Sequence, residues 1–404
     1  MRTVAEHRAR IRALGIVAAP RSVPVDDSVG HVLAEDISAP VAVPAFDVSA
    51  VDGFAVTMND LCTGSAPAVR GPRVAGPVTD PEVHVAPGTA IQIMTGAQVP
   101  SGAQAVVPVE ATSGFVDDFT SGHVRISGSF AKGANIRVAG GDIAANEKVL
   151  TAGTRLSPNR IGVLRALGRT HVRVRSALRV AVVSTGSELV WAGEDTRPGQ
   201  IHESNGSMLG ADLAACGATV RRPNPIGDDV NSLRDTLELC ADWADLIVTT
   251  GGISAGTEDV VRLALQGRDA DFGPVALKPG RPQGLGRVDG VPIVCLPGNP
   301  VSSFVSYEVF VRPVVRAALG HRAIDRPTRE VPLLSTLNAG RAGYTRYLLG
   351  ILEIDGVTPC GPSSGSIRAL AASDCIIVVD DTSFDHGSQV RAWVLDNSSC
   401  DRFR

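Results

Sequence analysis

The chain has 404 residues, a length for two to four domains rather than one ordinary core. A hydrophobic share of 44%, a charged share of 20% and a mean hydropathy of +0.13 exclude global disorder, and the longest apolar runs, at 178–183 and 374–379, are far short of a membrane span. A net charge of −4, from 38 Lys and Arg against 42 Asp and Glu, excludes the broad basic field that non-specific nucleic-acid binding requires.

Seven scattered cysteines without a Cys-x-x-Cys pair read as reduced structural thiols, and eight histidines without ligand spacing argue against a zinc site. The N-terminus enters a charged, helix-like stretch with no apolar signal region, so the expected location is the cytoplasm. Seven arginines between Arg155 and Arg179 alternate with apolar residues and read as a solvated face. Only Lys132, Lys148 and Lys278 are lysines, which makes Lys278 in a Gly/Pro loop conspicuous.

In chain order, apolar spacing between arginines predicts a helix over residues 3–17, ended by the proline-rich segment 20–24. From 40 to 143, short Val-rich runs broken by Gly, Pro and Asp predict a β-rich module. Ser157-Pro158 opens a short helix through 167. Strands are then expected at 179–184, 219–223, 245–250 and 291–296. Helices are expected at 205–216, 229–243, 258–265 and, as one long element, 301–319. Continuous apolar strands alternating with helices imply a mostly parallel sheet covered on both faces. Short strands return after Arg326-Pro327. The fold class is therefore multidomain α/β plus all-β: a central αβα domain flanked by a β-rich module and a small C-terminal β domain. The expected boundaries are 1–43 with 140–175, 44–139, 176–326 and 327–404.

Ligands of an open parallel sheet bind outside the carboxyl ends of its strands. Three such ends carry loops suited to anions: Thr185-Gly186 through Glu188, Thr250-Gly251-Gly252 through Ser254 and Asp259, and Pro297-Gly298-Asn299-Pro300. One strand-Gly-helix junction alone is ordinary turn chemistry, and three on one sheet are the stronger signal. Asp228, Asp229, Asp259 and Glu188 suit either phosphate and metal chemistry or helix N-termini. Lys278-Pro279-Gly280-Arg281-Pro282 sets two cations in a stiff loop, an arrangement suited to an oxyanion. In the β-rich module, Asp47, Ser49, Asp52 and Gly53 crowd one short span upstream of Thr95-Gly96.

Together these stretches resemble the MoeA family, the molybdopterin molybdenumtransferases, to which the gephyrin E domain is related. The resemblance is carried by PAFDVSAVDGFAV, IMTGAQVPSGAQAVVPVE, STGSELV, PGQIHESNGSML, TTGGISAGTEDV, LKPGRP, LPGNPVSSFVSYEVFVRP, GRAGYTRY and SSGSIRALAASDC, in that order. It implies an elongated homodimer of four-domain chains with a MogA-like αβα domain. The implied activity is insertion of molybdenum, from molybdate, into the dithiolene of adenylyl-molybdopterin, with Mg²⁺-dependent release of AMP. A MogA-type molybdopterin adenylyltransferase is then a transient partner. Carried over by motif position, Glu188, Asp228 and Asp259 are the metal and nucleotide carboxylates, and Thr185, Gly186, Thr250, Gly251, Gly252, Ser254 and Pro297 to Pro300 bind the substrate. Lys278, Arg281, Ser302, Arg346 and Ser364 would hold molybdate. Asp52, Thr95 and Asp142 would reach the partner's cleft. Two departures stand out: Gly141 occupies a position often held by Glu, and Arg281 one often held by Lys. A non-catalytic molybdopterin-binding scaffold and a molybdopterin adenylyltransferase are the alternative readings.

Overall fold

The computed structural model describes residues 1–62, 66–70, 74–77, 83–115, 122–254, 259–338, 340, 342–361, 366–380 and 382–395. The chain divides into two compact units. The first comprises 1–34, 153–157 and 171–404, and the second 35–152 and 158–170. No helix among the described residues is long and apolar enough to cross a membrane.

In the first unit a six-stranded sheet runs in the order Thr219–Arg221, Arg179–Ser184, Leu246–Thr250, Val291–Leu296, Pro282–Val288, Ala270–Pro274. The first four are parallel, and the last two add an antiparallel edge. Alternation along each strand explains why the strands read as unbroken apolar runs. Val180, Val182, Val248 and Val294 bury one face with Leu209 and Leu213 of the helix Asn205–Cys216. Ala181, Val183, Ile247 and Ile293 bury the other with Leu233 and Leu237 of the helix Val230–Ala241. The antiparallel edge was not legible, because prolines and glycines in 270–274 and 282–288 resemble loop.

Two helices differ from expectation. The N-terminal one is shorter, Val4–Arg12, held at its start by a Thr3/Glu6 capping box, and Pro20–Pro24 is a strand paired with His171–Arg175 rather than a mere helix stop. The expected long helix is interrupted: Pro300–Ser306, then a π-helical turn Tyr307–Val311, then Arg312–Ala318. Pro313 lacks an N–H, and widening the preceding turn absorbs the missing bond. The turn buries Tyr307 and Glu308, which join a buried polar network. Tyr307 Oη donates to Asp212 at 2.6 Å, and Arg326 donates to both Asp212 and Glu308, at 2.9 and 2.6 Å.

A second sheet of this unit orders Leu277–Lys278, Thr345–Glu353, Cys375–Val379, Gln389–Val394 and Thr328–Pro332, with Gly356–Pro359 paired to Thr345–Glu353. Its first strand comes from the Gly/Pro loop, and the parallel register sets Lys278 beside Arg346. The second unit is β-rich as expected. A four-stranded sheet orders Ala68–Val69, Thr89–Ile93, Gly53–Val56 and Ala105–Pro108 over two small apolar cores. It also holds the helix Pro158–Ala166, which opens at the expected proline.

Candidate active site

The carboxyl ends of the three adjacent parallel strands open into a cavity of about 530 Å³. Thr185, Gly186 and Glu188 follow the first strand, Thr250 to Ser254 the second, and Pro297 to Pro300 the third. Asp228, Asp259 and Ser302 complete the wall. Every residue expected to bind substrate or metal from these loops lines this one space.

The loops close on one another through backbone contacts. Thr185 N donates to Thr250 O at 2.9 Å, Gly186 N to Ile226 O at 2.9 Å and Gly251 N to Leu296 O at 3.0 Å. These three amides are thus committed to carbonyls of the protein itself. Gly251 has φ +94°, and a Cβ there would lie 2.5 Å from Thr185 O, so only glycine fits.

The structure also separates acids that the sequence left ambiguous. Asp229 is a helix cap, accepting from Ser232 N at 2.7 Å, and this bond holds its carboxyl below the usual range. Its neighbour Asp228 instead lines the cavity, accepting from Ser187 N at 3.3 Å while its own N–H donates to Ser187 Oγ at 2.9 Å. Asp259 occupies the N-cap position of Val260–Ala264 without capping it. Its Oδ1 accepts from Ser254 Oγ at 3.1 Å, and its Oδ2 is buried with no partner. Glu188, Asp228 and Asp259 share the cavity but not a centre: among the described residues, no three His, Cys, Asp or Glu side chains cluster closely enough to hold a metal by themselves.

Sequence reasoning missed Glu203. It is 4% exposed, lines the cavity, and accepts from Ser184 Oγ at 2.8 Å and Gly206 N at 2.6 Å. Asn205 was also missed as a site residue. Its Nδ2 donates to Gly298 O at 2.8 Å, and its Oδ1 is buried without a partner. The available signal was the Glu-Ser-Asn run at the start of a helix. Asn299 caps the helix Pro300–Ser306, accepting from Ser302 N at 3.1 Å.

The expected oxyanion residues divide. Lys278 and Arg346, adjacent in register, line a second cavity of about 190 Å³ with Val301, Leu337, Cys360 and Ala369. Arg346 Nη1 donates to Asn338 O at 2.8 Å, but Nε and Nη2 are buried without acceptors, and burial lowers the proton affinity of this guanidinium. Arg281 does not join them. It lines a third cavity, of about 410 Å³, with Arg262 and Gln283, while Ser302 faces the first. The reason is the reversal at Gly280, φ +97°, between the two cations: Gly280 and Pro282 face the first cavity, and Lys278 and Arg281 diverge from it. Ser364 lies outside the described residues.

In the second unit, Asp52 accepts from Thr95 N at 2.6 Å and Thr95 Oγ1 at 2.7 Å, bonds that lower its pKa. Asp142 is ion-paired with Arg137, and its N–H donates to Val43 O at 3.0 Å. The structure therefore joins Asp52 to Thr95 and gives Asp142 a separate partner.

Comparisons with known proteins agree with this architecture. Residues 2–168 match the model of the MoeA N-terminal region (domain I and II), and 181–317 that of a probable molybdopterin binding domain. A Mycobacterium tuberculosis protein named molybdopterin molybdenumtransferase 2 is 40% identical over 414 aligned residues, covering 98% of this chain and 100% of its own. A Bacillus subtilis molybdopterin molybdenumtransferase is 32% identical, covering 88% of this chain and 85% of its own. The crystal structure of a molybdopterin biosynthesis MoeA protein from Pyrococcus horikosii superposes with a TM-score of 0.84 at 26% identity, covering 98% of this chain and 99% of that one. With residues 2–168, residues 181–317 and nearly its whole length matched in this way, the chain belongs to the MoeA family of molybdopterin molybdenumtransferases.

Proposed function

We propose that this protein is the enzyme its relatives are named for, inserting molybdenum from molybdate into the dithiolene of adenylyl-molybdopterin and releasing AMP. The observation that carries this reading is the pairing of two unlike cavities. One is walled by Glu188, Asp228, Asp259 and strand-end loops, and the other holds Lys278 beside an Arg346 whose Nε and Nη2 have no acceptor. They flank one piece of chain: Pro300 and Ser302 line the first and Val301 the second.

The first cavity suits a substrate that carries phosphates. The donor set fits Mg²⁺, a hard cation held by one or two carboxylates plus phosphate oxygens, and the unpartnered Asp259 Oδ2 is an oxygen of the right kind. Asp259 would hold the ion together with the substrate's phosphate oxygens, with Asp228 and Glu188 in the wall of the same cavity, and the ion when bound would neutralise developing charge on the phosphates. Ser254 and Ser187 orient the two aspartates through the hydrogen bonds described above. Glu203 shapes the wall by fixing Ser184 and the start of the following helix. In the second cavity, Lys278 supplies a point charge and Arg346 a planar donor fork, and together they would position the molybdate dianion.

We further propose the four-part division at 1–43 with 140–175, 44–139, 176–326 and 327–404, a homodimer in which Asp52, Thr95 and Asp142 serve the partner's cleft, a transient MogA-type partner, and work in the cytoplasm. Molybdate-dependent AMP release from adenylyl-molybdopterin with Mg²⁺ tests the central reading. Tight substrate binding without turnover would point to a scaffold, and formation of the adenylate from ATP and molybdopterin to an adenylyltransferase.

A further inference from the structure

Another cavity of the first unit, about 290 Å³, shares no lining residue with those above. Its wall includes His31, Arg175, Ser176, Cys216, Leu319 and His321, and no carboxylate lines it among the described residues. Several guanidiniums surround it. Arg175 is in the wall, and its Nη1 donates to Ala18 O at 3.1 Å. Arg155 Nε donates to the carbonyl of the lining residue Gly30 at 3.3 Å. Arg21 Nη2 donates to His31 Nε2 at 2.9 Å.

That last contact fixes a tautomer. A guanidinium only donates, so His31 Nε2 is the bare nitrogen and the ring proton sits on Nδ1. Nδ1 is buried and has no acceptor. On the other wall, His321 Nε2 donates to Cys216 O at 3.1 Å, which leaves its Nδ1 as the unprotonated nitrogen of the neutral ring. Burial lowers the pKa of His321, and Arg316, Arg155 and Arg312 add to the effect through their charge. Asp212 is within reach of Cys216 Sγ, at 3.7 Å, but it is already held by Tyr307, Arg312 and Arg326. The cavity thus combines a concentration of positive charge with a buried N–H donor that lacks an acceptor, and an anion supplies what both need.

We propose that this cavity is a binding site for a small phosphate-class oxyanion, free or as a phosphate monoester, held between Arg175, Arg155 and the Nδ1–H of His31. It stands apart from the proposed insertion chemistry and does not depend on it. The test uses the full chain with inorganic phosphate and, separately, AMP. Hydrogen–deuterium exchange is read at 29–33, 217–218 and 319–321, with 250–254 of the strand-end cavity as an independent reporter, and affinity is measured by calorimetry. Slowed exchange in the first three segments, with affinity about tenfold weaker in Arg175→Gln, is the expected result, since a charge-assisted contact is lost. Protection by AMP alone would assign the site to monoesters, and protection by inorganic phosphate to the free group. Unchanged exchange in those segments with both probes, or unchanged affinity in Arg175→Gln, would overturn the proposal. Should Arg175→Gln fail to fold, Arg155→Gln removes the same charge from the rim and is judged by the same outcomes.

Discussion

Arg346→Ala separates a residue kept for its ligand from one kept for stability. Among the described residues Arg346 makes one hydrogen bond, to Asn338 O, while Nε and Nη2 are buried with no acceptor. Burying such donors costs free energy, so truncation removes a burden as well as a bond, and the melting temperature should hold steady or rise. A bound dianion would accept from both donors. At about 1.5–3 kcal/mol for each bond to a charged group, and with water replacing part of the loss, the variant should lose about 3 kcal/mol of molybdate binding. That corresponds to about a hundredfold rise in the molybdate concentration needed for half-maximal AMP release. Arg346→Lys should recover part of it, since charge returns without the fork. The assay is AMP release against molybdate concentration at saturating adenylyl-molybdopterin, beside thermal melts of the same preparations. A lower melting temperature with unchanged molybdate dependence would refute the reasoning and make Arg346 a structural residue.

Three further outcomes follow from the geometry. Asp228→Asn and Asp259→Asn should each slow AMP release without a loss of stability, whereas Asp229→Ala should lower the melting temperature and leave AMP release intact; paired melts and turnover assays decide this. Glu203→Ala leaves Ser184 Oγ and Gly206 N–H without their acceptor, at about 1–3 kcal/mol each, which urea unfolding would detect. Buried His7, edge-on to Phe310, has its pKa lowered to about 4, chiefly by burial and then by the charge of Arg2. The folded pKa lies below the unfolded value near 6.5, so its contribution is complete above pH 6.5 and is lost as the pH falls toward 4. That loss is about 3 kcal/mol and should be absent in His7→Leu, as acid unfolding curves would show.

The sequence by itself determined those features that one stretch of chain can encode. Three parallel strands and the helices 205–216 and 230–241 were legible because burial on both faces and regular capping leave local patterns, as with Asp229 and the Asn299-Pro300 pair. The loops at those strand ends were legible for the same reason, since strand-to-helix connections of a parallel sheet open on one side. The antiparallel edge and the π turn were hidden, because prolines and glycines read as breaks unless the neighbouring element that accommodates them is known.

What only the tertiary structure decided is which charges meet. Lys278 and Arg281 are three residues apart, yet the reversal at Gly280 parts them. Lys278 and Arg346 are far apart in sequence, yet strand register makes them neighbours. Asp228 and Asp229 are adjacent and chemically alike, but one lines the cavity and the other caps a helix. Glu203 becomes a site residue only because Ser184, at the end of the strand Arg179–Ser184, is there to donate to it. Such outcomes depend on long-range pairing and on the absence of a partner for a buried atom, and neither leaves a periodic trace in the chain.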